Sequence, residues 1–551
     1  INTLTDQLLN ILHTVNSKSL MWMNLTAALK NIGTGHINIV SEATGGEFTT
    51  KATLLKAHEM YIKALPSLWA SLGEYTCNNL DAALMKLAGN IFEDHIEAGV
   101  DTKTNIVSLG MSKWDNVMFA PNTIGEHYLQ FATFLSAMQT HRIVAGTIMN
   151  YDQFVFSLRE RLFRDMVDDE TYTKYKAYKD KQESIKGNNV EFIDYLSRFI
   201  AYRANNFTNE WKSNYAKAYK EGLKNARVEF EKNQVIYDAF ELKDGIASIK
   251  AESNITLEDF AKFLGKVKGV NHSLHGIYNT FDKSMLSGKM WGEVILQFRK
   301  WLRPNFIRYW GKRFGKTIYD ERLESYRSGA YMDMINFLLS NGKSAYRETI
   351  DKAIENDEDI DFATKAKAIF NGFCGLLYWF KDINFRYNTL PQAQKANIKR
   401  AMFNFTTLVG LSLVAASLYA AKDDDDELDE NRFFALACYT IYGVQTELYE
   451  TSPWGLYSFY KRTMEAPIPF ETSMSNVLNL AYWTLIAPMI VDDEEMLYDR
   501  GTYKDEDKRW IAFKKTIPLF NQYNKMFYLP KNNTYYMQQN PILQMIVELN
   551  K

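Results

Sequence analysis

Between Ile295 and Lys316 the sequence reads ILQFRKWLRPNFIRYWGKRFGK. Arg299, Lys300, Arg303, Arg308, Lys312, Arg313 and Lys316 interleave with Phe298, Trp301, Phe306, Tyr309, Trp310 and Phe314. Cations neutralise phosphates and aromatic faces stack on bases, so the pattern suits a nucleic acid such as genomic DNA. It equally suits an amphipathic helix whose aromatics pack inward while its arginines cap or pair. A third use is a helix lying on a membrane surface or on a protein partner. All three stay open at the level of sequence. Pro304 is expected to split the run into two short helices, which disfavours one continuous groove.

Other chemistry fails on spacing. A phosphate loop needs a glycine, four residues and then Gly-Lys-Ser/Thr, so that enough backbone wraps the phosphates. Ahead of Gly315 and Lys316 the required glycine position holds Trp310, and ahead of Gly342 and Lys343 it holds Phe337. Gly33 and Gly35 lack the third glycine of a dinucleotide turn. His95 stands beside Asp94 and Glu97 in a mixed polar stretch that suits a solvated face. His272 and His275 have no cysteine or carboxylate in the same turn, which favours a structural or capping role over metal binding. The run Asp423 to Asp426 has no glycine-shaped loop to make its carboxylates converge, so it reads as a solvated linker. No HExxH and no GxSxG is present. The expectation is a protein that is not an enzyme, with no cofactor and no metal. Cys77, Cys374 and Cys438 are too dispersed to suggest a disulfide framework.

The elements that must position these residues read as helices. The chain has 551 residues, only 11 prolines, and 64 basic against 66 acidic side chains. That near-neutral balance excludes a wholesale basic coat, so any contact with nucleic acid must be local. Few breakers in so long a chain predict a mainly α, elongated fold of several helical subdomains with little β structure. Ile at position 1 is expected of a piece of a longer polypeptide. Four regions differ in character: a mixed helical 1–150, a charged amphipathic 151–270, a basic and aromatic 271–400, and apolar helices with acidic linkers and an extended tail over 401–551. Within the first, the Gly- and Thr-rich NIGTGHINIVSEATGGEF is expected to be a loop, and VDTKTNIVSLG a short strand. Thr256 with Asp259 three residues on predicts a capping box for the helix that follows.

From Arg400 to Lys422 lie 21 intervening residues without a charge. As a helix they would span about 31 Å, close to the hydrocarbon thickness of about 30 Å. Lys399 and Arg400 flank the stretch on one side, Asp423 and Asp424 on the other. If the helix starts near its basic flank, both ends oppose the helix dipole. Basic flanks are common at membrane faces. Asn404, Thr406, Thr407, Gly410, Ser412 and Ser417 suit close helix packing in lipid or in protein. A membrane segment and a segment buried in an assembly are both consistent with these residues.

HSLHGIYN, from His272 to Asn279, followed by FRKWLRPNFIRYW, from Phe298 to Trp310, resembles large virion proteins of crAss-like bacteriophages. So do YGVQTELYETSPWGLYSFYKRTMEAP, from Tyr442 to Pro467, and KKTIPLFNQYNKMF, from Lys514 to Phe527. Asn305 stands where the family pattern has glycine after the proline. The resemblance spans roughly residues 270–530 and says little of residues 1–270. It implies a cargo protein held in the capsid or the portal–tail channel and ejected into the host with the genome. Portal, tail-barrel or muzzle subunits, further copies of the chain in a ring, genomic DNA and the host membrane are the implied partners. A permanent portal–tail component, or the nucleic-acid-binding part of a packaged transcription protein, is the alternative.

Overall fold

The computed structural model describes residues 25–70, 76–92, 125–186, 208–275, 302–311, 318–320, 325–340, 362–377, 383–390, 392–424, 432–455 and 471–516. A few positions within those ranges are excepted, and isolated residues outside them are also described. The fold is mainly α, an elongated multi-helix arrangement with few strands. In chain order the helices are α1 (Leu25–Gly45), α2 (Lys51–Ala70), α3 (Leu80–Phe92), α4 (125–140), α5 (Tyr151–Arg164), α6 (Asp169–Lys186), α7 (Asn209–Glu231) and α8 (Leu257–His275). They continue with α9 (Leu302–Trp310), α10 (Ala330–Leu338), α11 (Phe362–Leu377), α12 (Ile383–Thr389), α13 (Gln392–Asp424) and α14 (Arg432–Thr451). Helix α15 (Glu471–Ala481) runs through a π-helical turn, Tyr482–Ile486, into Ala487–Ile490, and α16 (Lys508–Thr516) follows.

Short antiparallel strands punctuate the helices. Strands β1 (Arg142–Val144) and β2 (Thr147–Met149) form a hairpin, and β3 (Gln234–Val235) adds to β1. A second hairpin pairs β4 (Phe240–Lys243) with β5 (Ile246–Ile249), and a third pairs β6 (Ile318–Asp320) with β7 (Ser325–Arg327). The β4–β5 turn is Asp244-Gly245 with φ of 54° and 78°. Two positive φ values in a two-residue loop match the right-handed twist of the strands, which is why Asp-Gly suits it.

The largest core joins Ile39 and Phe48, Leu54 to Ala64, Ala82 to Ala88 and Leu129 to Met138 with Phe240, Phe260, Phe263 and Val270. It draws on residues either side of position 150, so the composition shift there marks a change of surface rather than of core. The charged helices α5, α6 and α7 bury an aromatic seam, Phe163, Tyr175, Tyr215 and Tyr219, with Phe385 of α12. The Thr256–Asp259 capping box forms: the Thr256 amide donates to Asp259 Oδ2 at 3.0 Å, and the Asp259 amide to Thr256 Oγ1 at 3.2 Å.

The loop expected at NIGTGHINIVSEATGGEF is instead the body of α1. Its glycines serve close approach, not a turn. A Cβ on Gly35 would meet Leu129 Cδ1 at 2.3 Å, and one on Gly33 would meet Val444 at 3.1 Å. The missing side chains let α4 and α14 reach the α1 backbone, which offsets the cost of glycine in a helix, about 1 kcal/mol each. The turn comes later, at Gly46 with φ of 74°. The strand expected at 100–110 and most of the expected extended tail lie outside the described residues.

Candidate functional site

The opening basic run and the apolar stretch converge on one buried point. Helix α13 starts at Gln392, two turns before Arg400, so Arg400 is an interior residue and not a flank at the helix N-terminus. The expected clash between that basic pair and the helix dipole therefore does not arise, because the dipole's field is confined to the first turn. Lys399 is exposed, while Arg400 is among the largest fully buried side chains. Asp423 and Asp424 are the last two residues of the helix.

Arg400 is held by carboxylates far away in sequence. Its Nη2 donates to Glu42 Oε1 at 2.7 Å and to Glu47 Oε2 at 2.8 Å, and its Nη1 donates to Asn397 Oδ1 at 2.7 Å. Arg308 enters the same node from α9. Its Nη1 donates to Asn38 Oδ1 at 3.1 Å, its Nη2 to the Asn38 carbonyl at 3.2 Å, and Glu42 Oε2 lies 3.8 Å from it. Two guanidiniums against two carboxylates leave the node close to neutral, which is the condition for burying charge at all. Gly45 completes the geometry, since a Cβ there would stand 2.8 Å from Arg400 Nε.

Neutral and singly charged groups extend the node outward. Asn397 Nδ2 donates to Asp333 Oδ2 at 2.7 Å and to the Ser328 carbonyl at 3.0 Å, fastening α13 to α10. Trp310 Nε1 donates to the Thr451 carbonyl at 2.9 Å, and Lys30 of α1 pairs with Glu447 of α14 at 2.6 Å. Tyr309, Trp310 and Tyr331 pack with Ala401 in the core beside it. So the aromatics Tyr309 and Trp310 face inward and Arg308 pairs internally, which takes this arginine out of the set available to phosphates. Arg303 lies in α9, with Pro304 in its first turn where a missing amide costs nothing. Arg299, Lys300, Lys312, Arg313 and Lys316 lie outside the described residues.

Past the node, α13 divides by face. Leu408 packs with Val444 and Leu448, Ala415 packs with Cys438 and Tyr442, and Gln445 Nε2 donates to Ser412 Oγ at 2.7 Å. The opposite face exposes Met402, Val409, Leu413 and Val414. A second open apolar stripe runs along α15 and its continuation, through Leu478, Leu485, Ile486, Met489 and Ile490. Among the described residues no helix is long and apolar enough to cross a membrane.

A further titratable cluster was not legible in local motifs. Tyr61 Oη and His127 Nδ1 share a hydrogen bond of 2.8 Å, Tyr128 Oη and His58 Nδ1 one of 2.9 Å, and the His36 and His58 rings lie 5.3 Å apart. Burial lowers His36, and burial with the charge of His36 lowers His58. Burial also pushes the neighbouring Glu126 carboxyl up to about 7. His272 and His275 sit in the last turn of α8. No group of three or more His, Cys, Asp or Glu among the described residues is placed to hold a metal ion. No family model, no curated protein and no solved structure matches the chain.

Proposed function

We propose that the chain is a virion cargo protein of a crAss-like bacteriophage, stored against other virion subunits and released into the host with the genome. The observation that carries this is the pair of open apolar stripes, on α13 and on α15 with its continuation. Side chains such as Leu413 at 63% exposure and Met489 at 84% would be covered in an assembly. Contiguous exposed apolar surface is the usual mark of an interaction face. The motifs between His272 and Phe527 that resemble such virion proteins support the same assignment. The near-neutral charge agrees with packing among proteins rather than wrapping DNA over the whole surface.

Methionine oxidation tests the assignment at two points. Met402 and Met489 are 57% and 84% exposed in the chain alone. Peroxide footprinting is expected to oxidise both in the isolated chain and to spare both in intact particles. Equal oxidation in the two settings would contradict the proposal.

A further inference from the structure

Helix α13 has two unequal sides. Between Arg400 and Lys422 it is uncharged on every face. One side packs against α1, α10 and α14. A helix that is apolar all round is ordinarily covered all round. Yet Met402, Val409, Leu413 and Val414 stand exposed. With the exposed Thr406, Gly410 and Ser417 they follow steps of three and four residues, which keeps them on one face. The two hydroxyls on that face are already used within the helix. Thr406 Oγ1 donates to the Met402 carbonyl and Ser417 Oγ to the Leu413 carbonyl, each at 3.0 Å. The face can therefore be buried without stranding a hydroxyl proton.

Gly410 lies in the middle of this face. Gly33, Gly35 and Gly45 each have a neighbour that a Cβ would strike, whereas a Cβ on Gly410 would meet nothing within 4 Å. Glycine inside a helix is destabilising, and no packed neighbour of the kind that offsets it at the other three is present here among the described residues. The two ends of the face carry opposite charges. Lys399 is exposed and forms no ion pair among the described residues. Asp424 closes the helix, where its charge opposes the helix dipole. Positions 399 and 424 are about seven turns apart, so they fall on one side of the helix, about 37 Å from each other.

We infer that the exposed face of α13 docks a second copy of this chain, with the two α13 helices antiparallel about a two-fold axis. With the axis between the levels of Leu411 and Ser412, Lys399 of one copy faces Asp424 of the other and Thr406 faces Ser417. Val409 then faces Val414, and Leu413 enters the open space over Gly410. Each pairing occurs twice, because a two-fold interface uses the same patch on both copies. Lys399 brings a cation to the C-terminal end of the opposite helix, where both the dipole and Asp424 favour it. An anionic membrane would attract one end of this face and repel the other, whereas a second copy complements both. A strip about 37 Å long and about 10 Å wide covers about 370 Å2 on each copy, below the area of most stable complexes, so the dimer forms at micromolar concentration. The pairing rests on reading the α13 stripe as an interaction face, and not on the chain being carried in a virion. A chain that stays monomeric strikes this pairing, while the particle measurements decide the cargo assignment separately.

Sedimentation velocity of the full chain over roughly 0.1–100 μM is expected to show a reversible monomer–dimer equilibrium, as an interface of this size implies. Gly410→Leu fills the gap that Leu413 would enter and is expected to weaken the dimer at least about tenfold. The same change adds a better helix former in open space, so thermal unfolding of the variant should not fall below wild type. Lys399→Asp and Asp424→Lys alone are each expected to weaken the dimer roughly threefold to tenfold, and the double variant to recover it to within about twofold. Peroxide oxidation of Met402, expected above for the dilute chain, should slow as concentration rises while that of Met489 does not. A monomer at every concentration overturns the inference, whether or not it binds phosphatidylcholine vesicles. So does a dimer indifferent to Gly410→Leu, or one that the charge-swapped double variant fails to restore.

Discussion

Arg400 and Lys217 are both cations on helix faces, yet they do opposite things. Arg400 is enclosed by Glu42, Glu47 and Asn397, and its charge is spent on joining α13 to the end of α1. Lys217 is exposed on α7 and forms no ion pair among the described residues. The type of cation fits each task. A guanidinium offers a planar fork of donors that can satisfy several fixed acceptors at once, whereas an ammonium is a flexible point charge that tolerates a moving anion. A basic residue in sequence is therefore not yet a binding residue. What decides is whether the fold brings it a carboxylate.

The largest effect is expected from opening the node. Arg400→Ala leaves Glu42 and Glu47 buried without their partner and should destabilise the chain by about 3–5 kcal/mol in denaturant unfolding. By contrast Lys63→Ala, which breaks the exposed i,i+4 pair with Glu59 at 2.5 Å, should leave the unfolding midpoint unchanged. Similar effects in both variants would erase the distinction between enclosed and open charge. Gly45→Ala sharpens the same comparison from the other side. Its Cβ falls 2.8 Å from Arg400 Nε, and a guanidinium held by three partners cannot step aside, so a loss of about 1–3 kcal/mol is expected.

Acid provides a third probe, because His141 and the half-buried Glu126, both on or next to α4, titrate in opposite senses. His141 is fully enclosed and burial pushes it down to about 3, although its Nδ1 donates to the Ala137 carbonyl at 3.0 Å. The unfolded chain binds that proton near pH 6.5, so stability from His141 is lost as pH falls below 6.5, by about 2 kcal/mol at pH 5. Glu126 is pushed up to about 7, so its native carboxyl takes a proton that the unfolded chain releases above about pH 4.5. Stability from Glu126 therefore rises as pH falls from 7 to 5, again by about 2 kcal/mol. These two contributions nearly cancel over that window. Glu126→Gln is expected to remove one of them, and denaturant unfolding at pH 7 and pH 5 should then show an acid loss steeper than in wild type. The smallest effect belongs to the exposed lysines: K217A/K220A should leave thermal unfolding unchanged.

Much of the fold was legible in the sequence. Scarce proline gave the mainly α character, the charged amphipathic pattern of 151–270 covers α5 to α8, the uncharged stretch after Arg400 lies within α13, and the Thr256–Asp259 box marks the start of α8. The Asp244-Gly245 hairpin was missed: Asp-Gly between apolar alternations is a strong turn signal, but the surrounding 151–270 region reads as charged amphipathic helix throughout. Gly33 and Gly35 misled because a glycine in a helix and a glycine in a turn look alike until the neighbour is known, and the neighbours here are Leu129 and Val444. The node was not legible at all. Glu42 and Arg400 are separated by 358 positions, and nothing near Arg400 in sequence announces a carboxylate that distant. The cleft between α7 and α12 was hidden for the same reason: Asn384 and Asn388 complete a surface begun at Asn209.

The proposal that the chain is ejected cargo has a direct test in the protein content of particles. Quantitative mass spectrometry would compare purified particles before and after genome release, with portal and capsid peptides as internal references. The cargo assignment predicts peptides of this chain in intact particles and their loss from emptied ones. Retention in emptied particles at the intact ratio would contradict it and make the chain a permanent part of the shell or tail.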